Sequence, residues 1–185
     1  MIILSILIPS FNYKKGLIKI LESLRICEKK YLEKIEIIIG DDSEVRLLNK
    51  KEIKFYQSYF CNLKYKFNKS KKGSGFNWNQ LIEMSNGKFY WLFHHDEEIY
   101  NSSKTIRNIL KSLNNEHQVL LLRIIKRNTI SILRNKINLY KFHTAPNYLT
   151  NFFIRKKELI LLLNVIGPPS AFVISKKIKL KYNTK

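Results

Sequence analysis

Two cysteines, four prolines and six glycines among 185 residues exclude several classes of protein at once. Cys27 and Cys61 stand far apart in apolar-periodic segments, so neither a disulfide framework nor a zinc-finger spacing is present. The pattern implies a reduced, cytosolic setting with both thiols buried as small hydrophobes. Glycine and proline are too sparse for a collagen-like or low-complexity chain. No apolar run approaches the ~20 residues of a membrane-spanning helix. The opening residues Met1 to Pro9 lack a basic leader and a small-residue cleavage site, and read as a strand rather than a signal peptide. Acidic residues are also scarce: 14 Asp and Glu against 34 Lys and Arg leave a net charge of +20.

A cationic chain can face nucleic acid, an anionic membrane surface or phosphorylated small molecules. No RNP-like strand, zinc-finger spacing or heptad repeat accompanies the charge, so nucleic acid is not an expected partner. The Lys, Asn and Ile richness also fits a merely solvated face. Apolar residues make up 45% of the chain, which excludes general disorder, and the length suits about one domain with a real core.

What is present is a series of aliphatic runs that end in polar clusters. Ile2 to Ile8 is nearly continuous, as in a parallel strand covered on both faces. Leu17, Ile20, Leu21 and Leu24 form one helical stripe, and Ile35 to Ile39 gives a second buried strand. That β-α-β order implies a parallel pair with a right-handed crossover. Further on, the pattern predicts a short helical piece over Val45 to Lys50 and strands over Ile53 to Gln57 and Leu63 to Phe67. A helix around Trp78 to Ser85 follows, stopped by Asn86-Gly87 as a C-cap, and then a strand from Phe89 to Phe93. Ser102 or Ser103 is the expected cap of the next helix, and Gln118 to Ile125 the next strand. Lys126 to Asn151 reads as basic and aperiodic, Lys156 to Leu163 as a helix, Gly167 to Ser170 as a rigid turn and Ala171 to Ser175 as a short strand.

Three strand ends collect chemistry-bearing side chains: Pro9-Ser10-Phe11-Asn12, Gly40-Asp41-Asp42-Ser43, and His94-His95-Asp96-Glu97-Glu98. Each alone is an ordinary turn. Three of them on one parallel sheet converge at the carboxyl edge, where open α/β sheets bind ligands. Carboxylates with a neighbouring imidazole suit Mg²⁺ or Mn²⁺ bridging to phosphates. Trp91 is expected in the core, Trp78 beside a cleft, and Glu98 at a helix N-terminus. Lys69, Lys71 and Lys72 lie on a loop that could draw in phosphates. Tyr148, Phe152 and Phe153 with Arg155, Lys156 and Lys157 form a basic-aromatic patch suited to an anionic membrane surface.

The motifs Leu4 to Asn12, Glu36 to Ser43, the helix Phe76 to Gly87 and the strand into His94-His95-Asp96-Glu97 resemble the N-terminal part of family 2 inverting glycosyltransferases. The resemblance covers roughly residues 2 to 113, with a looser echo at Gly167 to Ser175. It implies a Rossmann-like GT-A three-layer α/β sandwich with a mostly parallel central sheet. It further implies one glycosyltransferase domain over residues 1–185, with nucleotide-sugar binding in 1–115 and a partial acceptor side in 116–185. By the same resemblance, Pro9, Ser10, Phe11, Asn12, Asp41, Asp42 and Asn77 bind nucleotide. Asp42 would accept a hydrogen bond from the base. Asp96, with His94, would touch Mn²⁺ or Mg²⁺ on the diphosphate, supported by His95 and Glu97. Pro169 and Ser170 fall on the acceptor side.

The implied function is metal-dependent, inverting transfer of a sugar from a nucleotide-diphosphate donor, a UDP-sugar by preference. The acceptor would be a glycan or lipid-linked molecule in surface polysaccharide biosynthesis, in the cytoplasm or peripherally at the inner membrane face. Two departures stand out. His94 occupies the position of the family's first metal-site Asp, and no Asp or Glu follows Ser175, where the catalytic base is expected. The alternative is therefore a truncated, non-catalytic remnant that binds nucleotide.

Overall fold

The computed structural model describes residues 1–69, 73–99, 101–113, 119–121, 125–132, 135–142, 170 and 172–183. They fall into two compact units, one of residues 1–120 with 173–185 and one of residues 121–172.

The first unit is built on β1 (Leu4–Ser10) and β2 (Ile35–Asp41), both buried at every position. β1 runs parallel to β2 and to β4 (Phe89–Leu92), and β2 runs parallel to β3 (Leu63–Phe67). β8 (Phe172–Ser175) lies antiparallel to β4. With β5 (Val119–Leu121) the sheet order is β3-β2-β1-β4-β8-β5. The register aligns Leu7 with Ile38 and with Leu92, and these residues share a cluster with Leu81 of α4 (Ser74–Met84). Ile6, Ile37 and Trp91 alternate to the opposite face. Two covered faces explain why β1 and β2 lack polar alternation. α1 (Lys14–Arg25) buries the expected stripe Leu17, Ile20, Leu21 and Leu24.

A buried carboxylate is built into this largely apolar sheet. The Glu36 carboxylate accepts hydrogen bonds from Ser5 Oγ at 2.7 Å, Lys64 Nζ at 3.0 Å and the Gly87 amide at 3.0 Å, and also from the Asn86 amide. Burial by itself pushes Glu36 upward, but the hydrogen bonds from Ser5, Asn86 and Lys64 outweigh it and hold its pKa below the ordinary 4.5. The network fastens the Asn86-Gly87 turn to the sheet and so fixes where β4 begins.

Several expectations change. Ile53 to Gln57 is not a strand but the middle of α3 (Lys50–Tyr59). Its β-favouring side chains are overruled by a capping box: Asn49 Oδ1 accepts from the Glu52 amide at 2.9 Å, and Glu52 Oε2 accepts from the Asn49 amide at 2.8 Å. No helix precedes it over Val45 to Asn49. Gly87 is not a left-handed cap. It follows an extended Ser85, and a Cβ there would lie 2.5 Å from Ser5 Oγ, so close approach is what requires glycine. The cap of α5 (Ser102–Ser112) is Asn101, whose side chain accepts from the Lys104 amide at 3.3 Å; Ser102 instead donates to the Ser23 carbonyl of α1. Glu98 lies before that helix and pairs with Lys19 at 2.7 Å in solvent. Cys27 is buried as expected, but Cys61 is exposed, because Phe60 and Leu63 take the inward positions of its turn.

In the second unit, β6 (Ile125–Ile132) and β7 (Asn135–Phe142) form an antiparallel hairpin where the sequence reads as aperiodic. Of the expected strand over Gln118 to Ile125, the described residues hold β5 and the first residue of β6, Ile125. The expected helix at Lys156 to Leu163, the patch from Tyr148 to Lys157, and Gly167 to Pro169 lie outside the described residues.

Candidate functional site

The three polar strand ends meet at one sheet edge. The register places Ser10 opposite Asp41, and the Asp42 amide donates to the Ser10 carbonyl at 2.9 Å. The Phe93 amide donates to the Leu7 carbonyl at 2.8 Å, bringing the end of β4 to the same edge. Asn12, left-handed at φ 47°, stitches the first turn to the second: its amide donates to Ser43 Oγ at 2.8 Å, and its Oδ1 accepts from the Glu44 amide at 3.4 Å.

The two aspartates at the end of β2 have different duties. Asp41 is fully buried and accepts from the amides of Ser43 at 3.0 Å and Leu47 at 2.9 Å, and from Tyr65 Oη. Burial and this carboxylate hold the Tyr65 phenol well above its ordinary range, so it remains a donor. Asp41 thus shapes the loop after β2 and does not line the cleft. Asp42 does line it while only 5% exposed. Its Oδ1 accepts from Asn68 Nδ2 at 2.5 Å and its Oδ2 from the Gly73 amide at 2.9 Å. Gly73 sits at φ +125°, a conformation that favours glycine and aims its amide at the carboxylate. Asn77 donates to the Gly40 carbonyl at 2.9 Å, and a Cβ on Gly40 would lie 2.0 Å from Asn77 Oδ1.

At the end of β4, the His94 amide donates to Glu97 Oε2 and the Glu97 amide to the His94 carbonyl, both at 3.1 Å. This closes a tight turn with Asp96 exposed on it. His95 Nδ1 donates to the Pro9 carbonyl at 2.9 Å. A carbonyl can only accept, so Nδ1 carries the proton and Nε2 stays available. Gly16 permits the approach of α1 here, since a Cβ would fall 2.1 Å from the His95 carbonyl oxygen. The His94 ring meets Trp78 edge-on, with centroids 5.3 Å apart.

These groups enclose a cleft of about 330 Å³, lined by Pro9, Ser10, Phe11, Asp42, Gly73, Ser74, Asn77, Trp78, His94 and His95. Of the residues expected at the site, Pro9, Ser10, Phe11, Asp42, Asn77, His94 and His95 line it. Asn12, Asp41, Asp96 and Glu97 do not; Ser170 belongs to the second unit, and Pro169 lies outside the described residues. Trp91 is buried, and Trp78 borders the cleft, as expected. Sequence reasoning missed Asn68, which holds Asp42, and Tyr65, which holds Asp41. Neither belongs to a recognisable motif; their shared signal is a position on or just after β3, the strand beside β2.

Among the described residues no three His, Cys, Asp or Glu side chains converge on a metal position. That arrangement still fits a cation held by one or two protein groups plus substrate phosphates, the usual habit of Mg²⁺. Among the described residues no helix is long and apolar enough to cross a membrane.

The sequence model of glycosyl transferase family 2 matches residues 5–178. Comparison with curated proteins gave no match. Among solved structures, S. aureus TarS residues 1–349 is similar with a TM-score of 0.53 at 22% identity, over 65% of this chain and 35% of that one. Its complex with UDP-GlcNAc gives a TM-score of 0.53 at 23% identity, over 65% and 34%. A mannosyltransferase, PcManGT from Pyrobaculum calidifontis, in complex with GDP-Man and Mn²⁺, gives 0.51 at 9% identity, over 63% and 34%. The chain is thus matched to about a third of the length of these structures. At such identities the likeness establishes the GT-A fold.

Proposed function

We propose a donor-binding and transfer function on one premise: the chain belongs to glycosyl transferase family 2. In this reading the cleft takes a nucleotide-diphosphate sugar. The sugar passes, with inversion at its anomeric carbon, to a hydroxyl of a glycan or lipid-linked acceptor in surface polysaccharide biosynthesis. The observation that carries it is the Asp42 carboxylate, buried yet facing the cleft and fixed by Asn68 and Gly73. An ionised carboxylate only accepts, and each oxygen has a second lone pair. It therefore suits a base with a ring N–H, such as uracil, thymine or guanine, and opposes cytosine and adenine, which present an acceptor there. Uracil is preferred here because two of the similar structures are described with UDP or UDP-GlcNAc.

Asp96 and His94 are the groups that would hold Mn²⁺ or Mg²⁺, at the end of β4. The cation would neutralise charge developing on the diphosphate as the glycosidic bond breaks. The chain's own residues do the positioning. Phe11, exposed at the rim, offers a face for the base, and Trp78 with His94 walls the far end. In the transfer, an acceptor oxygen bonds to the anomeric carbon, the diphosphate departs with the electron pair, and the acceptor proton goes to a base. No base is assigned: Asp42 is held by Asn68 and Gly73, Glu97 closes its turn, and Glu98 pairs with Lys19. The cationic surface fits a peripheral position on an anionic membrane at its cytoplasmic face.

The test is calorimetry with UDP, GDP and CDP in the presence of Mn²⁺. UDP or GDP should bind and CDP should not; failure of every nucleoside diphosphate to bind overturns the reading. Turnover of a UDP-sugar separates transfer from nucleotide binding alone. Asp42→Ala should weaken free uridine as well as UDP by roughly tenfold or more, the value of one charge-assisted hydrogen bond. Unaltered uridine affinity removes Asp42 from base recognition.

A further inference from the structure

After β8 ends at Ser175, the chain returns across α4, and Asn79 fastens it there. Asn79 Nδ2 donates to the Tyr182 carbonyl at 2.9 Å, and the Tyr182 amide donates to Asn79 Oδ1 at 2.8 Å. One amide side chain thereby satisfies both backbone groups of Tyr182, as a neighbouring strand would. The Tyr182 ring then meets Trp78 edge-on, with centroids 4.7 Å apart and planes at 84°. Trp78 in turn meets His94 edge-on at 5.3 Å. Trp78 and His94 line the cleft, whereas Tyr182 stands behind them. Leu180 and Tyr182 also pack on the Leu7, Ile38 and Leu81 cluster, which anchors the segment to the sheet.

Packing alone would account for a half-buried aromatic on α4. It does not account for the order of contacts. The residue that grips the returning segment is the chain neighbour of the ring that walls the cleft, and that ring touches the His94 imidazole. The indole makes edge-on contacts with both Tyr182 and His94.

We propose that Asn79 and Tyr182 are positioning residues. They hold the Trp78 indole against His94, which follows β4, whereas Asp42 follows β2 on the other side of β1. They thereby set affinity for the diphosphate and sugar part of the donor, leaving base affinity alone. The proposal deepens the donor-site reading and rests on it.

The experiment compares the parent chain with Tyr182→Ala, Asn79→Ala and Tyr182→Phe, by calorimetry with uridine, UDP and UDP-GlcNAc in Mn²⁺. Tyr182→Ala and Asn79→Ala should weaken UDP and UDP-GlcNAc about three- to tenfold, the scale of one aromatic contact. Uridine should stay within about twofold. Tyr182→Phe keeps the ring and should match the parent. In a Trp91→Phe background Trp78 is the remaining tryptophan. Its emission should shift to the red in Tyr182→Ala and respond to UDP in the parent. UDP affinity unchanged in Tyr182→Ala overturns the proposal, as does parallel loss of uridine and UDP, which marks a structural role only. Tyr182→Phe behaving like Tyr182→Ala also overturns it. A parent that binds no nucleoside diphosphate brings down the donor-site reading itself, a result distinct from the other three.

Discussion

Asp96→Asn is expected to lower metal-supported UDP affinity on the order of 100-fold, the few kcal/mol carried by a cation bridging a carboxylate to a diphosphate. The amide keeps the size and polarity of the side chain but not its charge. Without metal, the variant and the parent should bind UDP alike. The metal titration is therefore the informative axis: the parent gains affinity as Mn²⁺ is added and the variant does not. Asp96 is exposed on a turn closed by His94 and Glu97, so the fold has little stake in it. Unfolding free energy should change by less than about 0.5 kcal/mol, as for surface sites generally. A variant that binds UDP with Mn²⁺ as tightly as the parent removes Asp96 from the metal. Parallel loss of uridine affinity would place Asp96 at the base end instead.

Glu36→Ala should destabilise the first unit by about 3 kcal/mol, because it strands buried donors. Ser5 Oγ and the Asn86 amide lose their acceptor, while the Gly87 amide keeps Ser5 Oγ at 2.9 Å and Lys64 keeps the Met84 carbonyl at 3.2 Å; Glu36 itself is 1% exposed, so water does not replace it without opening the sheet. Such a loss is a large share of the ~5–15 kcal/mol typical of a domain. Urea unfolding at neutral pH measures it, and a change below about 1 kcal/mol would show that the network contributes little. Glu36→Gln retains one acceptor oxygen and should lose less. The pH dependence has a definite sign. The folded pKa of Glu36 is lowered, so its stabilisation is fully present above the unfolded value, near 4.5, and fades as pH falls through the folded value. The gap between the parent and Glu36→Gln should therefore narrow below about pH 4.5 and stay constant above it.

How much of this was legible in the chain follows from the physics of each feature. The aliphatic runs of β1 and β2 and the stripe of α1 are periodic, local signals, and they gave the parallel α/β core and its polar carboxyl edge. Most of the cleft lining, from Pro9 to His95, was readable because each polar cluster directly follows such a run. The α3 segment was misread because Ile53, Phe55 and Tyr56 favour strands; the helix comes from Asn49 and Glu52 capping each other across one turn. The hairpin of β6 and β7 was missed because its strands, such as Ile125 to Ile132, carry little regular alternation.

The sequence by itself determined the layered fold and the polar sheet edge, because hydrophobic periodicity and strand-end chemistry are written in consecutive residues, and its motifs carried the resemblance to the family. Only the tertiary structure decided which aspartate faces the cleft. Asp41 and Asp42 are adjacent and chemically alike, but Asp41 ends β2 while Asp42 opens the loop after it, and distant Tyr65, Asn68 and Gly73 hold them in different places. The same holds for Tyr182: its contact with Trp78 spans about a hundred residues of chain, and no local pattern encodes a meeting made only when the sheet is assembled.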